Sequence, residues 1–382
     1  MRIEFDGQLF AEKEKTGIGF VAHQLISNLP KYSDDEKVLD YFAKGCTAQQ
    51  LGQIEQYRQL GYTLSPCQSM SSRQYKIIWP FFPLAFHRFF GKKADVTCFF
   101  NFYVPPGVAG RKVTIVHDMV VKAYPGTMNL KTKIMLRLCL KKSCKRADKI
   151  VTVSAFSKDE IVKYLKIPEE KIVVMPNGVD HSLYHTGYPQ QAIEAAKQRY
   201  HIAGEYYLYL GTLEPRKNIE RLVQAYAKAK VPGGPKLVLA GRKGWLYESI
   251  FETVQKLGLA GDVIFTDYVE DADVPLLMSG AKIFLFPSLY EGFGLPPLEA
   301  MACGTPVVTS AASSLPEVVG EAALLADPHS IREIAAAITR LERDAQLRER
   351  LIQKGLQRAA QFTWEQSAQI FYEVIRSVAE GR

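Results

Sequence analysis

Short, almost wholly apolar runs alternate with longer amphipathic stretches along the 382 residues of the chain. In the first half the apolar runs fall at about 1–6, 112–116, 150–153 and 171–175, and in the second at 206–210, 237–241, 263–266 and 283–286. Runs of this length, bounded by glycine, proline or serine, predict buried strands. The spacing between them predicts helices, among them one at about 20–29, one near 129–146, and a final amphipathic one from Phe362-Thr363-Trp364-Glu365 onward. Strands apolar on both faces and joined by helices predict parallel sheets with helices on either side, so each half is expected to be a doubly wound α/β domain. A turn-rich stretch at about 181–204 reads as a linker leading into the first helix of the second half. The expected boundaries are 1–182, 183–364 and a C-terminal helix at 365–382.

Two segments of the first half are strongly basic. The predicted helix near 129–146 carries Lys131, Lys133, Arg137, Lys141, Lys142, Lys145 and Arg146, and its spacing leaves Ile134 and Leu138 for the core. Residues 73–93 mix aromatics with cations. They read as an amphipathic helix packed on the sheet, with an interfacial lipid contact as the competing reading.

Composition narrows the class. Hydrophobic residues at 47% are ample for two cores, and 23% charged residues without a low-complexity tract exclude a disordered chain. No apolar run approaches the ~20 residues of a membrane span. The start, Met1-Arg2-Ile3-Glu4-Phe5-Asp6, lacks the basic-then-apolar layout of a secretion signal, so a cytoplasmic protein is expected, peripheral at most on the inner face of the membrane. Cys46, Cys67, Cys98, Cys139, Cys144 and Cys303 show no metal-ligand spacing and are expected as reduced thiols. The net charge of +8 is uneven: residues 1–180 hold 27 Lys and Arg against 17 Asp and Glu, and the remainder 21 against 23. A basic first half predicts an anionic partner or membrane surface, and no recognition motif supports nucleic acid.

The chemistry centres on residues 282–306, KIFLFPSLYEGFGLPPLEAMACGTP. A strand at Ile283–Phe286 runs through the turn Glu291-Gly292-Phe293-Gly294 into a short helix opened by Pro296 and Pro297 and closed by Gly304. Such a turn is an anion site, because orphan amides and the helix dipole meet there. Prolines carry no N–H, so the donors are expected to be the amides of Gly292, Phe293, Gly294 and Leu295. Glu291 and Glu299, eight positions apart, are acceptors suited to sugar and ribose hydroxyls. Amides for phosphate and carboxylates for hydroxyls describe a nucleotide sugar. The competing reading makes Glu299 a cap of its helix and Glu291 a solvated loop residue.

Other candidates lie at the ends of other strands. Arg216 and Lys217 follow the strand at Tyr206–Leu210, in the string GTLEPRKN at 211–218, where a diphosphate needs counter-charge. His117-Asp118 ends the strand at 112–116, at the edge where α/β proteins bind ligands. Gly17 and Gly19 follow the first strand in a loop, Thr16-Gly17-Ile18-Gly19, that lets backbone approach a ligand but makes no dinucleotide fingerprint.

With these residues in place, the chain resembles the retaining glycosyltransferases of family 4. Glu291 and Glu299 around GFGLPPL match the family's E-x7-E signature, and AMACGTPVV from Ala300 and SSLPEVVG from Ser313 follow in order and spacing. The resemblance implies a GT-B fold, two Rossmann-like domains facing across a cleft, with the C-terminal helix crossing back to the first. It places Gly17 and Gly19 in a phosphate- and acceptor-facing loop, His117 beside the donor sugar with Asp118 next to it, and the base at Tyr268-Val269. It also implies retention of anomeric configuration. Thr212 stands where many members carry an arginine, so the diphosphate charge falls to Arg216 and Lys217. With no DxD-type carboxylate pair in a phosphate loop, neither metal nor cofactor is expected. GTLEPRKN looks like the mannosyl and related transferases of bacterial surface polysaccharide assembly, which favours GDP-mannose as donor and a saccharide or lipid-linked saccharide as acceptor. The competing readings are a UDP-glucose or UDP-N-acetylhexosamine donor, epimerisation or phosphorolysis on the same scaffold, and a protein that holds a nucleotide sugar without turnover.

Overall fold

The computed structural model describes all residues except 13–16, 79–81, 83, 92, 129 and 382. The chain folds into two units, each built on a sheet whose strands pair in parallel. The first unit comprises Met1–Lys122, Leu130–Asn177 and Trp364–Arg382, the second Ala123–Asn129 and Gly178–Thr363. The first break after a strand thus falls at Asn177, ahead of the expected 182, and the short piece from Ala123 belongs with the second unit.

In the first unit the strands are β1 (Arg2–Asp6), β2 (Glu36–Phe42), β3 (Thr63–Cys67), β4 (Val96–Phe99), β5 (Arg111–Val116), β6 (Lys149–Thr152) and β7 (Ile172–Val174), in the order β3-β2-β1-β4-β5-β6-β7. In the second they are β8 (Tyr206–Leu210), β9 (Lys236–Ala240), β10 (Val263–Asp267), β11 (Ile283–Phe286), β12 (Val307–Ser310) and β13 (Ala323–Ala326), in the order β10-β9-β8-β11-β12-β13. Both orders reverse direction once, between β1 and β4 and between β8 and β11. Neighbouring loops diverge at such a point and leave a crevice at the carboxyl ends of the strands. The central strand β11 is apolar throughout, with Ile283, Phe284, Leu285 and Phe286 all buried.

The hydrophobic pattern did not mark β2, β3, β4, β12 and β13. β2 opens with Glu36-Lys37 and carries Asp40, β3 contains Pro66, and the other three have four residues each. Pairing supplies what their local pattern lacks, on both sides for β2, β4 and β12 and on one side for the edge strands β3 and β13.

Two expectations are corrected here. The first helix spans Gly17–Asn28, so Gly17 and Gly19 lie in its opening turn and not in a loop before it; Thr16 lies outside the described residues. A Cβ at Gly17 would meet no protein atom within 4 Å. In the helix Leu130–Arg146 the buried face is Leu136, Cys139, Leu140, Ser143 and Cys144, while Ile134 and Leu138 are exposed. Within 73–93, Tyr75, Phe86 and Phe90 are buried in a ring cluster around Phe42 of β2, with centroids 4.8 Å apart for Phe42–Tyr75 and 5.2 Å for Phe42–Phe90. Trp79, Pro80, Phe81, Pro83 and Lys92 of that segment lie outside the described residues.

The final helix, Trp364–Ala379, packs on the first unit: Phe371 lies 6.0 Å from Phe100, and Ser367 Oγ donates to Pro176 O at 2.6 Å. All six cysteines are free thiols. Among the described residues, no helix is long and apolar enough to cross a membrane.

Candidate active site

The site is built where the second sheet reverses, from the loops that leave β8 and β11. After β8 the chain makes a tight corner with β9. Gly241 has φ 142°, and a Cβ there would lie 2.1 Å from Gly211 O, so only glycine lets the two strand ends come this close. The loop continues through a single turn at Pro215–Lys217 to Asn218, whose φ of 62° puts it in the left-handed region at the start of the helix Ile219–Ala229. Asn218 is held there because its amide donates to Pro287 O at 2.9 Å and to Pro328 O at 2.7 Å. A Leu289 N–H to Arg216 O bond of 2.9 Å ties the two loops together along the backbone.

This zipper brings three charges to one point. Lys217 Nζ donates to Glu291 Oε1 at 2.7 Å, and Arg216 Nη1 donates to Glu291 Oε2 at 2.9 Å and to Tyr290 O at 2.8 Å. Arg216 is further fixed by Glu214, with Nη2 2.8 Å from its Oε1. The Lys217 ammonium sits 4.9 Å from the centroid of the Phe286 ring. Burial would raise the Glu291 carboxyl, but Arg216 and Lys217 overcome it and hold the group at about 2. Burial and the neighbouring guanidinium lower Lys217, against the pull of Glu291.

The glycine turn is clamped from the following segment. Ser314 Oγ donates to the carbonyls of Glu291 and Phe293 at 2.9 and 2.8 Å, and the Glu291 N–H donates to Ser313 Oγ at 3.0 Å. Gly294, with φ 111°, turns the chain into the helix Leu295–Ala302. Among the described residues, no acceptor meets the amides of Phe293, Gly294 or Leu295. They remain donors at a helix N-terminus, beside two cations.

Glu299 is buried within that helix and has no ion-pair partner among the described residues. Burial pushes its carboxyl up to about 7, with the Tyr184 hydroxyl offsetting part of the rise. The two carboxylates of the signature are therefore displaced in opposite directions from 4.5. Between about 4.5 and about 7 the folded chain holds a proton on Glu299 that the unfolded chain has released. Its contribution to stability therefore declines across that window, by on the order of 3 kcal/mol, and is flat above it. Glu299→Gln is expected to remove this component from urea unfolding measured between pH 5 and 8. An unchanged slope would show that the shift is absent.

The remaining candidates lie elsewhere. Tyr268, at the end of β10, is exposed, with the Arg242 guanidinium 4.2 Å from its ring centroid, while Val269 is buried. His117 is half-buried at the end of β5 in the first unit, and its Nε2–H donates to Phe100 O at 2.9 Å. Burial lowers its pKa, opposed by that carbonyl and by Asp118, so the neutral ring presents Nδ1 as an acceptor. Asp118 Oδ1 accepts from Val120 N at 3.0 Å and so caps the turn that follows. A cavity of about 340 Å³ flanks the β8 loop and is lined by Glu214, Asn218 and Leu289 among others, but not by Lys217, Glu291 or Glu299. Asn218, Ser313 and Ser314 lie within the matched strings, but their roles here, like that of Arg242, are not legible in the sequence.

Comparisons with known proteins bear on the family and the fold. Residues 190–358 match the family model of glycosyl transferases group 1, and residues 16–183 that of glycosyltransferase family 4. The O-antigen chain mannosyltransferase B of Escherichia coli is 39% identical over 272 residues, covering 69% of this chain and 70% of that protein. The serotype-specific mannosyltransferase WbdA of Escherichia coli is 31% identical over 274 residues, 70% of this chain but 33% of its own length. The solved structure of Alr3699/HepE of Anabaena in complex with UDP and glucose matches 99% of this chain and 100% of that one, with a TM-score of 0.75 and 20% identity. That likeness bears on fold alone.

Proposed function

We propose that this chain, which belongs to glycosyltransferase family 4 and has its GT-B fold, moves a hexose from a nucleoside diphosphate sugar to a saccharide or lipid-linked saccharide in the assembly of a surface polysaccharide. Mannose from GDP-mannose is the donor placed first, on the support of two relatives named as mannosyltransferases. The observation that carries the proposal is the convergence of Arg216, Lys217 and Glu291 at the reversal of the second sheet, next to a helix mouth with unsatisfied amides.

The chemistry follows from those charges. Breaking the bond between sugar and diphosphate puts negative charge on the leaving phosphate and oxocarbenium character on the sugar. Lys217, Arg216 and the turn amides are aimed at the first of these and stabilise the transition state more than the bound donor. Glu291 accepts from sugar hydroxyls and Glu299 from the ribose, while Tyr268 with Arg242 offers a flat surface for the base. Protein cations here take the place of a metal. The acceptor hydroxyl attacks on the face the phosphate leaves, its proton passes to that phosphate, and the anomeric configuration is retained. The basic first half of the chain supports a peripheral contact with an anionic membrane surface.

Thermal unfolding with GDP, UDP and ADP in parallel tests the reading. A ligand at a hundredfold its dissociation constant adds ~2.7 kcal/mol, or about 5–10 °C in a chain of this size. GDP is expected to give the largest shift, and GDP-mannose with an acceptor is expected to yield an α-linked product. A larger shift with UDP would replace the donor by UDP-glucose or UDP-N-acetylhexosamine, and indifference to all three would overturn the proposal. Binding without even slow donor hydrolysis would leave a nucleotide-sugar-binding protein.

A further inference from the structure

The helix Leu130–Arg146 of the first unit presents an outward face that its sequence disguises. Its residues read LKTKIMLRLCLKKSCKR, seven cations and no acid. The side against the unit is supplied by Leu136, Cys139, Leu140, Ser143 and Cys144. At i, i+4 and i+8 on the opposite side stand Leu130, Ile134 and Leu138, exposed by 68%, 50% and 64%. Successive steps of four and three residues keep to one face of a helix, so Lys141 and Lys145 continue the same stripe. Lys131 and Lys142 flank it, and both are exposed. Among the described residues, none of Lys131, Lys133, Arg137, Lys141, Lys142 or Lys145 takes part in an ion pair.

Three large aliphatic side chains in water are an energetic liability unless something covers them. The charge around them selects the cover. The face has no acid to meet a partner's cations and no aromatic side chain to anchor a protein interface. It is an aliphatic ridge followed by unpaired lysines with long, flexible stems, the composition of a helix that lies in a lipid headgroup layer.

We propose that this face docks on an anionic lipid surface, with Leu130, Ile134 and Leu138 entering the acyl boundary and Lys141, Lys142 and Lys145 meeting headgroup phosphates. This narrows the membrane contact of the previous subsection to one face, rests on that contact, and is independent of the donor chemistry. The lysines supply attraction that falls with salt, and the aliphatic ridge supplies the part that salt leaves intact.

Co-sedimentation of the full chain with vesicles of phosphatidylcholine alone, or with phosphatidylglycerol added, tests it. The chain is expected to bind the anionic vesicles and not the neutral ones. The triple variant Leu130→Gln, Ile134→Gln, Leu138→Gln is expected to bind about tenfold more weakly. The variant Lys141→Gln, Lys142→Gln, Lys145→Gln is expected to lose the preference for anionic lipid and its salt dependence. Both sets of positions are on the surface, so melting temperature and GDP-induced stabilisation should match the parent. A parent chain that ignores anionic vesicles sinks the membrane contact itself. Parent and aliphatic variant binding equally sinks the assignment to this face. A dimeric parent that becomes monomeric in the aliphatic variant would make the ridge a self-association surface and overturn the proposal as well.

Discussion

Lys217→Ala is expected to lower kcat by about 10²–10³, the cost of removing one preorganised donor from a developing anion, with a smaller change in KM. The expectation rests on where the ammonium is held. It lies 2.7 Å from Glu291 and 4.9 Å from the Phe286 ring centroid, on a loop fixed at both ends by backbone and Asn218 hydrogen bonds. Nothing in that arrangement depends on a flexible approach at the moment of reaction. A compact point charge at this place acts on charge that grows as the phosphate leaves, so its loss falls mainly on the chemical step. Lys217→Arg keeps the charge but replaces a point by a fork, and is expected to restore only part of the rate. Glu291 keeps its Arg216 partner at 2.9 Å in either variant, so the fold should survive. A kcat for Lys217→Ala within threefold of the parent, in a protein that melts normally and still binds the nucleotide, would remove the lysine from the leaving-group role.

What the sequence made legible and what it hid divide along one physical line. Tyr206–Leu210 and Ile283–Phe286 are continuous apolar runs, and their strands appear with those limits. The residues at their carboxyl ends, Arg216, Lys217 and Glu291, could then be named, because a strand end is a local property. What depends on partners far along the chain could not be. Asn218 has its role only because Pro287, 69 positions on, and Pro328, 110 positions on, are brought to it by the order of the sheet. Ser313 and Ser314 clamp the Glu291 turn from the next strand loop, and Arg242 meets Tyr268 from a neighbouring strand end. Ile134 and Leu138 fit the stripe of an ordinary core helix, and only the packing of Leu136, Leu140 and Cys144 reveals that the helix is turned the other way. Glu291, by its sequence context an acceptor for hydroxyls, is the counter-ion of both cations as well.

That double role gives the second large effect. Glu291→Gln is expected to destabilise the unliganded chain by about 3 kcal/mol, because the largely buried Lys217 loses its carboxylate and Arg216 loses one of its two. The parent carboxyl is held at about 2, so its contribution is complete above pH 4.5 and is lost progressively as pH falls from there to about 2. The deficit in the variant should therefore be constant across the neutral range, unlike the sloping effect at Glu299. A nucleoside diphosphate brings its own negative charge to Arg216 and Lys217. In the parent it must share them with Glu291; in the variant it meets Lys217 without its carboxylate and Arg216 held by Glu214 alone. GDP at a fixed multiple of saturation should accordingly raise the melting temperature of Glu291→Gln by more than it raises that of the parent, recovering much of the deficit, while transfer of the sugar falls because a neutral amide with one acceptor oxygen holds the sugar hydroxyls more weakly than the carboxylate. Paired melts with and without GDP, together with turnover, separate the possibilities. A variant as stable as the parent would mean that the ion triad contributes nothing. A smaller GDP shift than in the parent would mean that the diphosphate does not occupy the place of the missing charge.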